Sequence, residues 1–133
     1  MVLLSYEFFY FGILSDMSEG EVTKAYRPIG PKELQLIEQN GFKCWPPRLP
    51  EQPFFYPVTN ERYAIEIARD WNAKTDGVGY VTCFNVKKNF LNKYEVHVVG
   101  ASYHTEWWIP SGDLGALNDN IIGLIEIIGE YRK

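Results

Sequence analysis

A proline-rich segment places a strong limit on how this chain can fold. Four prolines fall within the nine residues Trp45–Pro53, which read WPPRLPEQP. Proline fixes φ and lacks a backbone N–H donor, so this segment is excluded from helices and from central strands. We therefore predict an extended, ordered loop that ends where a short β-prone run, Phe54–Val58, begins.

A strand followed by a helix is expected on each side of this loop. Before it, Val22–Tyr26 is β-prone, and apolar residues at helical spacing predict a helix from Pro31 to Asn40, followed by Gly41 at C′. After it, Thr59 or Asn60 can cap a second helix that ends between Trp71 and Ala73. One face of that helix is apolar and consists of Tyr63, Ala64, Ile67, Ala68 and Trp71.

The rest of the chain is mostly β-prone. The predicted elements are strands at Gly79–Val86, Tyr94–Val99, Thr105–Ile109 and Ile121–Ile128, and short helices at Lys87–Leu91 and Pro110–Leu117. Within the last strand, Gly123 suits a bulge. Two early helices followed by a run of strands predict an α+β domain with a mixed or split sheet.

The first 21 residues differ in composition from the rest of the chain. Residues 1–14 read MVLLSYEFFYFGIL, which lacks a basic leading region, contains Glu7 and is shorter than the roughly 20 apolar residues that span a bilayer. We interpret residues 1–21 as an apolar arm and linker, and residues 22–133 as one domain. The arm is either an element that packs on the domain or on a partner chain, or an artefact of the start site. As a packed element, its predicted role is homodimerisation.

Charge and cysteine content exclude some classes of protein. Seventeen acidic residues outweigh thirteen basic ones, which excludes a large basic nucleic-acid surface but leaves a nucleotide-sized ligand open. Cys44 and Cys83 form no CxxC motif, and we interpret them as reduced thiols of a cytoplasmic protein, with one disulfide as the alternative. With only His97 and His104 in addition, no zinc motif is present.

Three polar residues at the ends of predicted strands are candidates for chemistry. Arg27 is either a guanidinium that grips ribose or pyrophosphate, or an ordinary surface arginine. Tyr56 must face away from Phe55, so one ring packs in the core while the other faces a cleft or solvent. Glu106, beside Trp107 and Trp108, is either a solubilising edge residue or a carboxylate placed against a developing cation.

In order along the chain, several motifs resemble the mono-ADP-ribosyltransferase superfold, in the layout of toxins and poly-ADP-ribose polymerases. They also resemble small bacterial proteins labelled ADP-ribosylation/crystallin J1. The matching segments are YRPIG at 26–30, NGF at 40–42, FYPVTN at 55–60, YAIEIA at 63–68 and EWWIP at 106–110. The resemblance covers about residues 26–128 and implies an ADP-ribosyltransferase-like split sheet.

The resemblance implies an NAD⁺-consuming ADP-ribosyltransferase or NAD⁺ glycohydrolase that needs no metal. Arg27 matches the motif that contacts NAD⁺ ribose or phosphate, Tyr56 matches a tyrosine that stacks on nicotinamide, and Glu106 matches the catalytic glutamate. Cofactor-binding positions are also implied for Asn60, Tyr63, Trp45 and His104, because the motifs or the proline-rich loop bring them near NAD⁺.

This sequence departs from each branch of the superfold. The polymerase and diphtheria-type branches carry His where Arg27 stands, and the arginine-specific branch carries Ser-Thr-Ser where this chain has Phe-Tyr-Pro. His104 occupies the place of a second carboxylate, so modification of arginine is not expected. His104 is then either an assistant to Glu106 or the acceptor, or a rim residue without a role.

Two other functions remain open. The first is an inactive module on the same fold that binds a nucleotide or a protein. The second is an interaction protein unrelated to NAD⁺, which predicts that Arg27, Tyr56 and Glu106 lie far apart.

Overall fold

The structure is a computed structural model that describes residues 21–133. The predicted arm falls almost wholly outside these residues. The first strand, β1, spans Val22–Ile29 and is longer than predicted because it pairs antiparallel along its whole length with a later strand, from Val22 opposite Lys87 to Ile29 opposite Tyr80.

The first helix, α1, spans Pro31–Gln39, and both of its ends follow the expected sequence rules. Pro31 opens the first turn, where a missing N–H costs nothing. Gly41 has φ +75°, its N–H donates to Glu38, and the Phe42 N–H donates to Ile37, which is a Schellman motif. The prediction for this helix is confirmed to within one residue.

The proline-rich loop precedes a strand shorter than predicted. Strand β2 covers only Phe54–Phe55, because Pro57 cannot donate to a sheet ladder. Beyond it, Val58 forms single bridges to Tyr26 on one side and to Glu106 on the other.

The second helical region begins as predicted and ends later. Helix α2 spans Glu61–Ile67, a π-helical segment spans Ala68–Asn72, and α3 spans Ala73–Asp76. The π-helical segment accommodates one extra residue without interrupting the helical region. The last helical residue, Asp76, lies three residues beyond the predicted limit of Ala73, and Gly77, at φ +86°, ends the region.

The remaining elements follow the predicted order, except that the predicted strand Thr105–Ile109 is divided at Trp108 into two short strands, the second of which includes Pro110. They are β3 (Val78–Lys87), α4 (Lys88–Leu91), β4 (Val96–Val98), β5 (Thr105–Trp107), β6 (Ile109–Pro110), a 3₁₀ turn (Ser111–Asp113), α5 (Leu114–Asp119) and β7 (Ile121–Arg132). Gly123 in β7 has φ +79° and lies beside a register shift between β3 and β7, so the predicted bulge is confirmed.

The strands form several small sheets, and the predicted α+β class is confirmed. The order β1-β3-β7 makes a three-stranded sheet, while β2-β6 and β4-β5 pair separately. All strand pairs among residues 21–133 are antiparallel. The bridges of Val58 connect β1 to β5, and this short link brings the two regions of sheet side by side.

Large aromatic rings fill the main core. Trp45, Phe55 and Phe84 are all at most 2% exposed, and the ring of Trp45 lies 5.5 Å from Phe55 and 5.1 Å from Phe84. Cys44 and Cys83 are both free thiols, in agreement with the interpretation of reduced cysteines. None of the helices in the described part of the chain is long and apolar enough to cross a membrane.

Candidate functional site

Arg27, Tyr56 and Glu106 line one pocket of about 300 Å³, which we call the Glu106 pocket. Its other lining residues are Pro28, Val58, Ile67 and Asn72. The three come from separate segments: β1, the chain after β2, and β5. Val58 brings them together because it forms a β-bridge to Tyr26, the residue before Arg27, on one side and a β-bridge to Glu106 on the other. The three residues therefore share one pocket and do not lie far apart.

The carboxylate of Glu106 accepts a hydrogen bond on each oxygen. The Tyr63 hydroxyl donates to Oε2 at 3.2 Å, and Trp108 Nε1 donates to Oε1 at 2.9 Å. The side chain is half-buried, so these bonds act in a medium less polar than water. Glu106 is thus a fixed, partly desolvated carboxylate rather than a freely moving edge residue.

Arg27 is buried, which corrects the alternative of a surface arginine. Its Nε and Nη2 donate to the two oxygens of Glu33 at 2.6 and 2.9 Å, and its guanidinium lies 4.4 Å from the centre of the Phe55 ring. Two of its five N–H donors are therefore taken by Glu33. For the other three, the structure shows no acceptor among residues 21–133.

Tyr56 belongs to an aromatic cluster on one side of Glu106. Phe55 is buried and Tyr56 is half-buried at the pocket, so the predicted alternation of faces is confirmed. The Tyr56 ring lies 6.2 Å from the Trp108 ring in an edge-to-face arrangement. His97 stacks on Trp108, with 4.0 Å between the ring centroids and 11° between the ring planes. The cluster supplies flat apolar surface beside the carboxylate.

Tyr63 and His104 lie behind Glu106 rather than on the pocket wall. Their ring centroids are 4.7 Å apart, and the Tyr63 hydroxyl points to Glu106. Burial, and secondarily the negative charge of Glu106, raise the pKa of Tyr63 to about 12, so its hydroxyl stays a donor at neutral pH. Tyr63 therefore contacts Glu106 and His104 contacts Tyr63, and neither residue lines the Glu106 pocket.

Glu66 lies on the far side of His104. Its Oε2 is 3.1 Å from His104 Nε2 and accepts a 2.5 Å hydrogen bond from the Tyr103 hydroxyl. These bonds, first from Tyr103 and then from His104, lower the pKa of Glu66. Arg62 covers the Tyr103 ring at 3.7 Å.

Two residues predicted to bind cofactor are used in other ways. The side-chain oxygen Oδ1 of Asn60 accepts a hydrogen bond from the Tyr63 backbone N–H at 2.8 Å and caps α2. Its side-chain Nδ2 donates to the Tyr103 backbone carbonyl at 2.8 Å. Trp45 is 1% exposed and packs among Phe55 and Phe84, away from the Glu106 pocket. Each of these placements has a local cause: a helix N-terminus requires a cap, and the largest ring fills the core.

Sequence reasoning missed four residues around the site. Asn72 lines the pocket, and its Oδ1 is buried without a hydrogen-bond partner. Trp108, His97 and Glu66 contact Glu106 or its neighbours. A signal was available only for Trp108, because residues 106 and 108 of the predicted strand Thr105–Ile109 would lie on the same face.

A second pocket, of about 560 Å³, lies next to the Arg27 ion pair. We call it the Arg48 pocket; it is lined by Glu33 and Phe55, which both contact the Arg27 guanidinium, and by Lys32, Leu36, Pro47 and Arg48 among others. Arg48 donates to the Phe54 carbonyl at 3.0 Å, and desolvation together with the nearby Arg27 lowers its pKa. This pocket combines apolar walls with two cations, Lys32 and Arg48, and two carboxylates, Glu33 and Asp76.

Residues 21–133 contain no cluster of three or more His, Cys, Asp or Glu side chains that could hold a metal ion. Comparison of the chain with protein-family models, with curated proteins and with solved structures finds no match. The geometry of the two pockets and the resemblance of the short motifs are therefore the features that bear on function.

Proposed function

We propose that this protein is an ADP-ribosyltransferase or NAD⁺ glycohydrolase with an ADP-ribosyltransferase-like fold. The observation that supports this proposal is the convergence of Arg27, Tyr56 and Glu106 on one pocket. These are the three residues that the motif resemblance pairs with NAD⁺ contact, nicotinamide stacking and catalysis. The pocket volume of about 300 Å³ lies at the lower end of the range of roughly 300–1,000 Å³ that is typical of small-molecule sites.

The chemistry of Glu106 suits cleavage of the nicotinamide N-glycosidic bond. As this bond breaks, nicotinamide leaves as a neutral ring and positive charge develops on the ribosyl carbon. A fixed carboxylate stabilises that cation without having to reorient during the reaction. The hydroxyl of an acceptor, or water, then bonds to the same carbon and loses its proton.

Tyr56 and Arg27 would hold the substrate on either side of the bond that breaks. The Tyr56 ring, supported edge-on by Trp108, offers a face on which a flat heterocycle can stack. The three N–H donors of Arg27 that Glu33 does not take suit ribose or phosphate oxygens. The Arg48 pocket, next to the Arg27–Glu33 pair, has a volume of about 560 Å³. Its two cations, Lys32 and Arg48, suit the phosphates of the ADP half, and they are balanced by the carboxylates of Glu33 and Asp76.

Release of nicotinamide from NAD⁺ by the purified protein tests the proposal. We expect the wild-type chain to release nicotinamide and Glu106→Gln to be slower by roughly 100-fold or more, since a preorganised group that stabilises developing charge is worth that much. Glu95→Gln is the matched control, because Glu95 is exposed and lies outside both pockets. Gln keeps the side-chain shape and one acceptor oxygen, so the melting temperature of Glu106→Gln should stay within about 4 °C of the wild type.

A binding module without turnover is the second candidate, and the Arg27–Glu33 ion pair favours it. An arginine that already binds a carboxylate has fewer N–H donors left for a reacting substrate. This candidate predicts that NAD⁺ raises the melting temperature without any release of nicotinamide, because a ligand that binds only the native state stabilises it. A wild-type protein that neither binds nor cleaves NAD⁺ would exclude the first candidate and leave the second only as a module for another nucleotide or for a protein.

A further inference from the structure

The orientation of the Glu106 carboxylate depends on Tyr63, which reaches it from a different element. Tyr63 lies in the first turn of α2, whereas Glu106 lies in β5, and they are joined by the 3.2 Å hydrogen bond to Oε2. Trp108 binds the other oxygen. Tyr63 and Trp108 together therefore fix the rotation of the carboxylate about its last bond.

Tyr63 is in turn held by His104. The two rings pack at 4.7 Å with 35° between their planes, and His104 is about one-fifth exposed. A phenol ring on a helix surface can adopt more than one rotamer, and a ring packed against its face limits that freedom. His104 thus restricts the direction of the Tyr63 hydroxyl.

The hydrogen bonds of His104 define its own orientation and tautomer. Its Nδ1 accepts from the Ala101 backbone N–H at 2.9 Å, so Nδ1 carries no proton and the neutral ring bears its proton on Nε2. That Nε2–H donates to Glu66 Oε2 at 3.1 Å. Glu66 follows Tyr63 by three residues in α2, so both side chains lie on the same face of the helix and hold His104 between them.

We propose that Glu66, His104 and Tyr63 are positioning residues that act in series on Glu106. Glu66 orients His104, His104 supports the Tyr63 ring, and the Tyr63 hydroxyl fixes the carboxylate where positive charge develops. This assignment rests on the proposed function of Glu106 and gives His104, which the motif resemblance assigns to cofactor binding, a role behind the pocket. None of the three needs to touch the substrate.

A double-mutant cycle on nicotinamide release tests the series. Tyr63→Phe keeps the ring but removes the hydroxyl, and we expect kcat to fall about tenfold, with KM for NAD⁺ changed by less than about twofold. Glu66→Gln should lower kcat about fivefold. Because Glu66 acts through Tyr63, the double variant should be no slower than Tyr63→Phe alone. Effects that multiply, or a change confined to KM, would overturn the inference.

A second measurement reads the same geometry without turnover. The ¹³Cζ resonance of Tyr63 is identified by its absence from the spectrum of Tyr63→Phe. We expect Glu66→Gln to shift this resonance and Glu61→Gln to leave it in place, since Glu61 is an exposed carboxylate of the same helix. An unmoved resonance in Glu66→Gln would overturn the inference. Failure of the wild-type protein to release nicotinamide would instead count against the proposed function.

Discussion

Arg27 and Glu33 form a bidentate ion pair across the turn between β1 and α1. The two hydrogen bonds measure 2.6 and 2.9 Å, and the side chains are 11% and 23% exposed. The same guanidinium lies over the Phe55 ring. This pair therefore joins the first strand, the first helix and the aromatic core beside both pockets.

We predict that Glu33→Gln destabilises the fold by about 2 kcal/mol, because it leaves a mostly buried guanidinium without its counter-charge. The partial exposure of Glu33 keeps the loss below that of a fully buried pair. Urea denaturation measures it. Asp70→Asn is the control, since it breaks the exposed Arg69–Asp70 pair and should leave the denaturation midpoint unchanged. Equal midpoints for the two variants would contradict the prediction.

Gly79 allows β3 to approach the π-helical segment closely. A Cβ at this position would collide with the Ala68 carbonyl oxygen and lie 2.8 Å from the Asn72 Cβ. We expect Gly79→Ala to destabilise the protein by about 3 kcal/mol and to disturb the Glu106 pocket, since Asn72 lines it. Gly115→Ala, where a Cβ has no neighbour within 4 Å, should be neutral or stabilising in thermal denaturation.

Asn60 has two separate roles, which two substitutions distinguish. Asn60→Ala removes both the helix cap and the bond to the Tyr103 carbonyl, and we expect a loss of about 1–2 kcal/mol. Asn60→Ser keeps a capping oxygen and should lose less than half of that free energy. If serine proves as costly as alanine in chemical denaturation, the cap contributes little to stability.

Stability should fall at alkaline pH through two phenols. Burial first, and a neighbouring carboxylate second, raise the pKa of Tyr63 and of Tyr94 to about 12. Between pH 10 and 12 the unfolded phenols lose protons that the folded ones retain, so the free energy of unfolding decreases as pH rises. The stabilisation is complete below pH 10 and is lost as pH passes 12.

Tyr94→Phe tests this pH dependence. The variant lacks the hydroxyl that donates to Asp113 at 2.8 Å, so its free energy of unfolding should fall less steeply than that of the wild type over this range. Between about pH 9 and about pH 11.5, we expect the free energy of unfolding of the wild type to fall by about 1 kcal/mol more than that of the variant, after allowance for partial exposure. Urea denaturation at about pH 9 and about pH 11.5 provides the measurement. Parallel slopes would show that Tyr94 does not carry the effect.

Local sequence rules predict the elements well but their lengths less well. The Schellman ending at Gly41, the Asn60 cap and the Gly123 bulge each depend on a few neighbouring residues, and all three are confirmed. The composition of Phe54–Val58 predicts a continuous strand, but only two residues pair in β2 and Val58 pairs elsewhere. Partners distant in sequence determine how much of that run becomes strand.

The sequence by itself determined the order of strands and helices, the extended proline-rich loop and the α+β class, because φ preferences, caps and hydrophobic periodicity act within a few residues. Tertiary structure alone decided which polar groups meet. Tyr63 and Glu106 are 43 residues apart, and Glu66 and His104 are 38 apart. Such contacts depend on the register of β5 against Val58 and on the packing of α2, which no local pattern encodes.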